Sequence, residues 1–123
     1  MTVEELTERL TTYLNEDKEN RYYTNLYISD GEDIEDVAID CVHYRAGEVL
    51  LRSNETDNGS WCLTIPYIIH CLKYFPNKMN VCVQVNDGIL DYDYFDTDDT
   101  YIDEKDEFII ECSFRKTGCY VFR

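Results

Sequence analysis

The chain has no run of about 18 consecutive apolar residues, the length at which a helix can cross a membrane. Its start, MTVEELTERL, has neither the basic head nor the apolar middle of a secretion signal, so a cytoplasmic protein is expected. Histidine is scarce. His43 and His70 lie in different segments, and neither has a cysteine or a second histidine at ligand spacing, which argues against a zinc site and for two half-buried, satisfied rings. Cys71 follows His70, but neighbours on a helix point about 100° apart and do not face each other. There is no GxSxG, no P-loop and no GxGxxG. The chain has 123 residues, short for an enzyme with its own pocket, and a non-enzymatic protein without a cofactor is expected.

Six cysteines are present but no CxxC pair. Cys41, Cys82 and Cys112 fall inside apolar strand-like runs, and Cys71 in a helical one, so they read as reduced, packed thiols. Positive charge is also in short supply. Eleven lysines and arginines face 26 acids, a formal net charge of −15. Direct binding to DNA, RNA or an anionic membrane is excluded on that balance, because phosphates are repelled. A basic partner is attracted.

What is there is enough apolar residue (44%) and tyrosine (eleven) for a folded single domain, residues 1–123. Val3, Leu6, Leu10 and Tyr13/Leu14 recur at helical spacing, and Thr2 with Glu5 forms a capping box. Residues 22–30 read as a strand ending at Asp30-Gly31, and 36–45 with 48–53 as a hairpin about Ala46-Gly47. Residues 54–60, NETDNGS, form a polar linker. The pattern then restarts. Thr64 and Pro66 open a helix whose stripe is Ile65, Ile68, Ile69, Leu72 and Phe75. Residues 79–87 and 107–114 read as strands, joined by an acidic connection, and 119–123 as a final strand.

The halves 1–53 and 61–123 align: Thr2-Val3 with Thr64-Ile65, Leu10 with Leu72, Ser29-Asp30-Gly31 with Asn86-Asp87-Gly88, and Glu48–Leu51 with Glu107–Ile110. The expected fold is therefore α+β: two αβββ-like repeats sharing one antiparallel sheet, with both helices on one face. The acids fall in matching places. Glu32, Asp33, Glu35 and Asp36 follow the first Asp-Gly turn; Asp91, Asp93, Asp96, Asp98 and Asp99 follow the second. An extended acidic rim is expected from such an arrangement.

A calcium loop counted from Asp96 would use Asp98 and Glu107, but Tyr101 stands where its sharp bend needs glycine. Tyr22, Tyr23 and Tyr27 could stack bases only with basic neighbours, which are missing, so they read as half-packed on a sheet. In 91-DYDYFDTDD-99 the acids are interleaved with Tyr92, Tyr94 and Phe95. Carboxylates can meet the lysines and arginines that grip phosphate, while rings anchor an interface.

The run TVEELTERL, the tyrosine-rich strand ending in DGE, then DVAID and GEVLL, resembles a module of small phage and mobile-element proteins: TVxEL, a polar turn, a strand with DG and a short hairpin. FPNKMNVCVQVNDG in the second half is similar to the same pattern. In charge and size the chain is similar to anti-CRISPR and anti-restriction proteins that mimic DNA. The resemblance implies an inhibitor in the bacterial host's cytoplasm, bound to the basic nucleic-acid groove of a CRISPR effector or another defence nuclease. The acids of both clusters would then be charge donors, with Tyr92, Tyr94 and Phe95 as anchors. The other reading is an accessory module whose acids only solvate it.

Overall fold

The computed structural model describes residues 1–16, 19–32, 34, 37–54, 62–86 and 92–115. Helix α1, Val3–Leu14, starts from the anticipated reciprocal cap. Thr2 Oγ1 accepts from the Glu5 N–H at 3.2 Å, and Glu5 Oε1 accepts from the Thr2 N–H at 2.9 Å. It buries Val3, Leu6, Leu10, Tyr13 and Leu14. Helix α2, Ile65–Leu72, has Pro66 in its first turn and buries Ile65, Ile68 and Leu72, with Ile69 and Phe75 packed at the core margin. Fully burying one such aliphatic side chain is worth about 1.5–3 kcal/mol, so these stripes fix which face each helix presents.

The strands are β1 (Tyr27–Ser29), β2 (Val37–Ala38), β3 (Cys41–Arg45), β4 (Glu48–Asn54), β5 (Asn80–Asn86), β6 (Tyr92–Ile102) and β7 (Phe108–Phe114), in the sheet order β2-β1-β7-β6-β5-β4-β3. The fold is α+β, and both helices pack on one face against Val49, Leu51, Val81, Val83, Val85, Phe95, Phe108 and Ile110. The sheet is mixed rather than antiparallel. β4 and β5 run parallel because α2 carries the chain back between them, and β1 runs parallel to β7.

The sheet is also curled. β2 and β3 lie on opposite margins, yet only Ile39 and Asp40 separate them in the chain. Ile39 N–H donates to Leu26 O at the β1 margin, and Asp40 N–H donates to Arg52 O on β4. The first hairpin strand thus crosses from one margin to the other, and the fully buried Ile39 marks the crossing.

Three local expectations change. Tyr22 and Tyr23 sit in a 3₁₀ turn, Glu19–Tyr23, not on a strand, because Arg21 just before them turns inward. Residues 92–102 are not a connection but an eleven-residue strand between β5 and β7. Its tyrosines, Phe95, threonines and Ile102 favour extended backbone and outweigh the aspartates. Asn54 belongs to β4, while linker residues 55–60 and the strand expected at 119–123 lie outside the described residues. Among the described residues, no helix is long and apolar enough to cross a membrane.

Candidate functional site

β6 and its turn into β7 carry most of the described aspartates. A β-bulge between Thr97 and Asp99 leaves Asp98 as the extra residue. Thr97 stays buried, its hydroxyl donating to Val81 O at 2.7 Å. Asp93, Asp98 and Asp99 are exposed. On the face away from the helices, Tyr94 joins Leu50 and Cys82 in a small second cluster, and its hydroxyl accepts from Gln84 Nε2 at 2.9 Å. Arg52 Nε donates to the same Gln84 side chain at 2.8 Å.

The aromatic anchors are therefore corrected. Tyr94 is 9% exposed and Phe95 3%, so both rings belong to the interior. Strand alternation sends Tyr94 to one face and Phe95 to the other, and each face is packed. The backbone of Tyr92 is in β6; its side chain lies outside the described residues, as do Asp33, Glu35, Asp36 and Asp91. Glu32 is exposed just beyond Gly31, whose φ of +80° makes the turn after β1.

Several acids hold the fold. Asp96 and Glu48 both take Arg115, at 2.6 and 2.9 Å, over Cys82. Burial alone would raise the Glu48 pKa, but hydrogen bonds from Arg115 and Asn80 prevail and hold it below the usual carboxylate value. Asp99 accepts the Thr100 N–H and then Arg9, which lower its pKa; the Arg9 pair is 2.8 Å long. Asp103 Oδ1 accepts from the N–H groups of Lys105 and Glu107, as Asp30 Oδ1 does from those of Glu32 and Ile34. Asp30 and Asp98 both bear on Cys112. Burial first, then these acids and Glu111, push that thiol up to about 12. Asp98 of the second cluster and the Asp30 that precedes the first thus come to the same part of β7.

The hairpin tip is clamped to α1 by Arg21. Its Nε and Nη2 reach Asp106 at 3.0 and 2.6 Å, Nη1 reaches Tyr13 O at 2.6 Å and Glu16 at 2.8 Å, and the guanidinium lies 4.0 Å from the Tyr13 ring centre. Tyr13 Oη donates to Asp106 O, and its ring meets Phe108 edge-on. Above this clamp a cleft of about 470 Å³ opens between α1 and the β6–β7 hairpin, with Tyr13, Tyr101, Ile102 and Phe108 as its apolar lining.

Two features escaped the sequence reading. Cys41 Sγ lies 3.1 Å from His43 Nε2. Their i, i+2 spacing on a strand was the available signal, and attention to the adjacent His70-Cys71 pair hid it. Desolvation lowers the His43 pKa, so the ring is neutral and the contact is a thiol–imidazole hydrogen bond. The other is an aromatic face on α2, where His70 lies between exposed Tyr67 and Tyr74, its ring centre 6.5 and 5.5 Å from theirs. No acid occurs between Asp57 and Asp87, so α2 itself carries none.

The calcium count fails in three dimensions, since Asp96 and Asp98 lie on a paired strand. Among the described residues, no group of three His, Cys, Asp or Glu side chains could hold a metal. No family model, no curated protein and no solved structure matches the chain.

Proposed function

We propose that this is a non-enzymatic inhibitor of the anti-CRISPR type, an acidic protein that occupies the basic nucleic-acid groove of a CRISPR effector or another defence nuclease. One observation carries the reading. Arg9, Arg21 and Arg115 are all engaged in ion pairs within the fold, Arg21 buried and Arg115 largely so, and the formal charge of −15 leaves a large excess of acid beyond those pairs. A charge magnitude of about 2–8 already serves the solubility of a small domain. Along β6, at about 3.3 Å per residue, the exposed Asp93, Asp98 and Asp99 span roughly 20 Å. Tyr101 and Phe114, both exposed, replace Tyr94 and Phe95 as the anchoring rings.

The test is a DNA-cleavage titration of guide-loaded CRISPR nucleases at two salt concentrations. Inhibition that weakens with salt, and is lost when Asp93 and Asp98 become asparagine, supports the reading; inhibition independent of salt refutes the mimicry. The α2 face favours a second reading, an accessory module that binds through Tyr67, His70 and Tyr74 and is only solvated by its acids. Charge-neutralised β6 variants then keep their partner.

We also read the chain as an internal duplication, α1–β1–β2/β3–β4 followed by α2–β5–β6–β7. Supporting it, the pairings recur, and they match Tyr27 with Cys82, which moves the β1–β5 alignment by two residues, from Ser29 with Asn86 to Ser29 with Gln84. Tyr27 opposite Ala38 answers to Cys82 opposite Asp96, and Tyr27 opposite Ile109 to Cys82 opposite Leu50. Cys41 opposite Arg52 answers to Asp99 opposite Glu111. The cap residues repeat as well: Thr2 bridges Asn80 and Thr64 bridges Asn25, while Val3 N–H donates to Met79 O and Ile65 N–H to Thr24 O.

A further inference from the structure

We propose that the cleft between α1 and the β6–β7 hairpin is a docking site for a lysine- or arginine-bearing peptide segment that inserts one apolar side chain. The inference rests on the basic partner proposed above and locates where that partner is gripped. The floor is apolar: Tyr13 and Phe108 are buried beneath it, and Tyr101 and Ile102 expose their apolar surface along one wall. The rim is acidic. Glu8 on α1 and Glu16 just past its end line the cleft, and beside it on the hairpin Asp99 pairs with Arg9 and Asp106 with Arg21. Four carboxylates and two cations leave an excess that favours a cationic occupant over a neutral or anionic one.

The matching place in the other half indicates what is particular here. On the duplication reading, Phe75 answers to Tyr13 and Tyr44 to Ile102. There the Tyr44 ring stacks on Phe75, with centroids 6.3 Å apart and planes 13° from parallel. At Ile102 a smaller side chain stands in the corresponding position, beside an open cleft. The rim differs too, for His70 and Lys78 answer to Glu8 and Glu16. One half covers the position with its own ring; the other leaves it open and surrounds it with acid.

The test is a titration of ¹⁵N-labelled protein, followed by amide shifts, with two capped peptides of equal charge: tetralysine, and Lys-Leu-Lys-Phe-Lys-Lys. The second is expected to bind roughly tenfold tighter or more, the order of one apolar side chain leaving water. Its shifts are expected at Glu8, Thr12 and Thr100–Ile102. Ile102→Tyr, which imitates Tyr44, should abolish that advantage and leave tetralysine binding unchanged; Thr12→Tyr does the same from the opposite wall. Equal, salt-sensitive affinity for both peptides overturns the cleft and leaves the basic-partner reading standing. No binding of either at low salt overturns both. Shifts at these residues on simple dilution of the protein identify a second copy as the occupant and overturn the peptide.

Discussion

Arg21→Met tests whether the clamp beneath the cleft organises this part of the fold. The side chain is 3% exposed, and its guanidinium makes four hydrogen bonds, two of them to Asp106. Breaking a buried ion pair costs about 3–5 kcal/mol, because the partner is left uncompensated. Here Asp106 and Glu16 are 39% and 51% exposed, so water recovers much of their loss. Tyr13 O loses its guanidinium donor, a cost of about 1–3 kcal/mol. Methionine retains some packing on the Tyr13 ring. The total is about 3 kcal/mol, which for a domain of this length is a fall in Tm of about 12 °C. Thermal denaturation by circular dichroism reads it directly. Arg21→Lys, which keeps the charge but not the two-pronged contact, should fall about half as far. A fall below about 4 °C for Arg21→Met refutes the reasoning, and the hairpin tip is then held by Tyr13 and Phe108 alone.

Glu48 supplies an acid limb of stability. Its folded pKa lies below the ordinary 4.5, so its contribution is present above that value and is lost as pH falls through the folded pKa. Arg115→Met should flatten this limb, measured as urea midpoint against pH. Cys41, half-buried, should react with iodoacetamide before the buried Cys82 and Cys112, whose thiols burial pushes up to about 12; peptide mass spectrometry at equal times decides it. In the cleavage titration, Asp98→Asn should weaken inhibition without changing Tm. Asp96→Asn should lower Tm by about 2–4 °C through Arg115, and equal Tm for the two variants would show that the Arg115 network contributes nothing.

The helices were legible because their signals are local: a cap three residues apart and an apolar stripe at helical spacing. The sheet was less so, because parallel pairing of β1 with β7 is a contact across most of the chain. The acidic run misled in a specific way. Aspartate is depleted in strands, yet Asp96 and Asp99 find Arg115 and Arg9 only after folding. Arg21 gave no local sign of its role and proves to be buried and paired. The local pattern could not say that both faces of β6 are covered, and so Tyr94 and Phe95 were placed outside.

On the duplication reading proposed above, the acids become informative. Where α1 carries Glu4, Glu5, Glu8 and Glu16, the corresponding positions around α2 hold Pro66, Tyr67, His70 and Lys78. The buried residues, Val3, Leu6 and Leu10 against Ile65, Ile68 and Leu72, stay alike. The frame therefore does not require acid on a helix surface, and a need for solubility alone would have spread acid over both. Giving α2 the acids of α1 separates the two functional readings. Tyr67→Glu with Tyr74→Glu touches only exposed positions, so Tm should move by no more than about 2 °C. On the inhibitor reading, nuclease inhibition is retained, since the gripping surface lies on β6, β7 and α1. Loss of inhibition with an unchanged melt and unchanged peptide binding would assign the partner to the aromatic face of α2 instead.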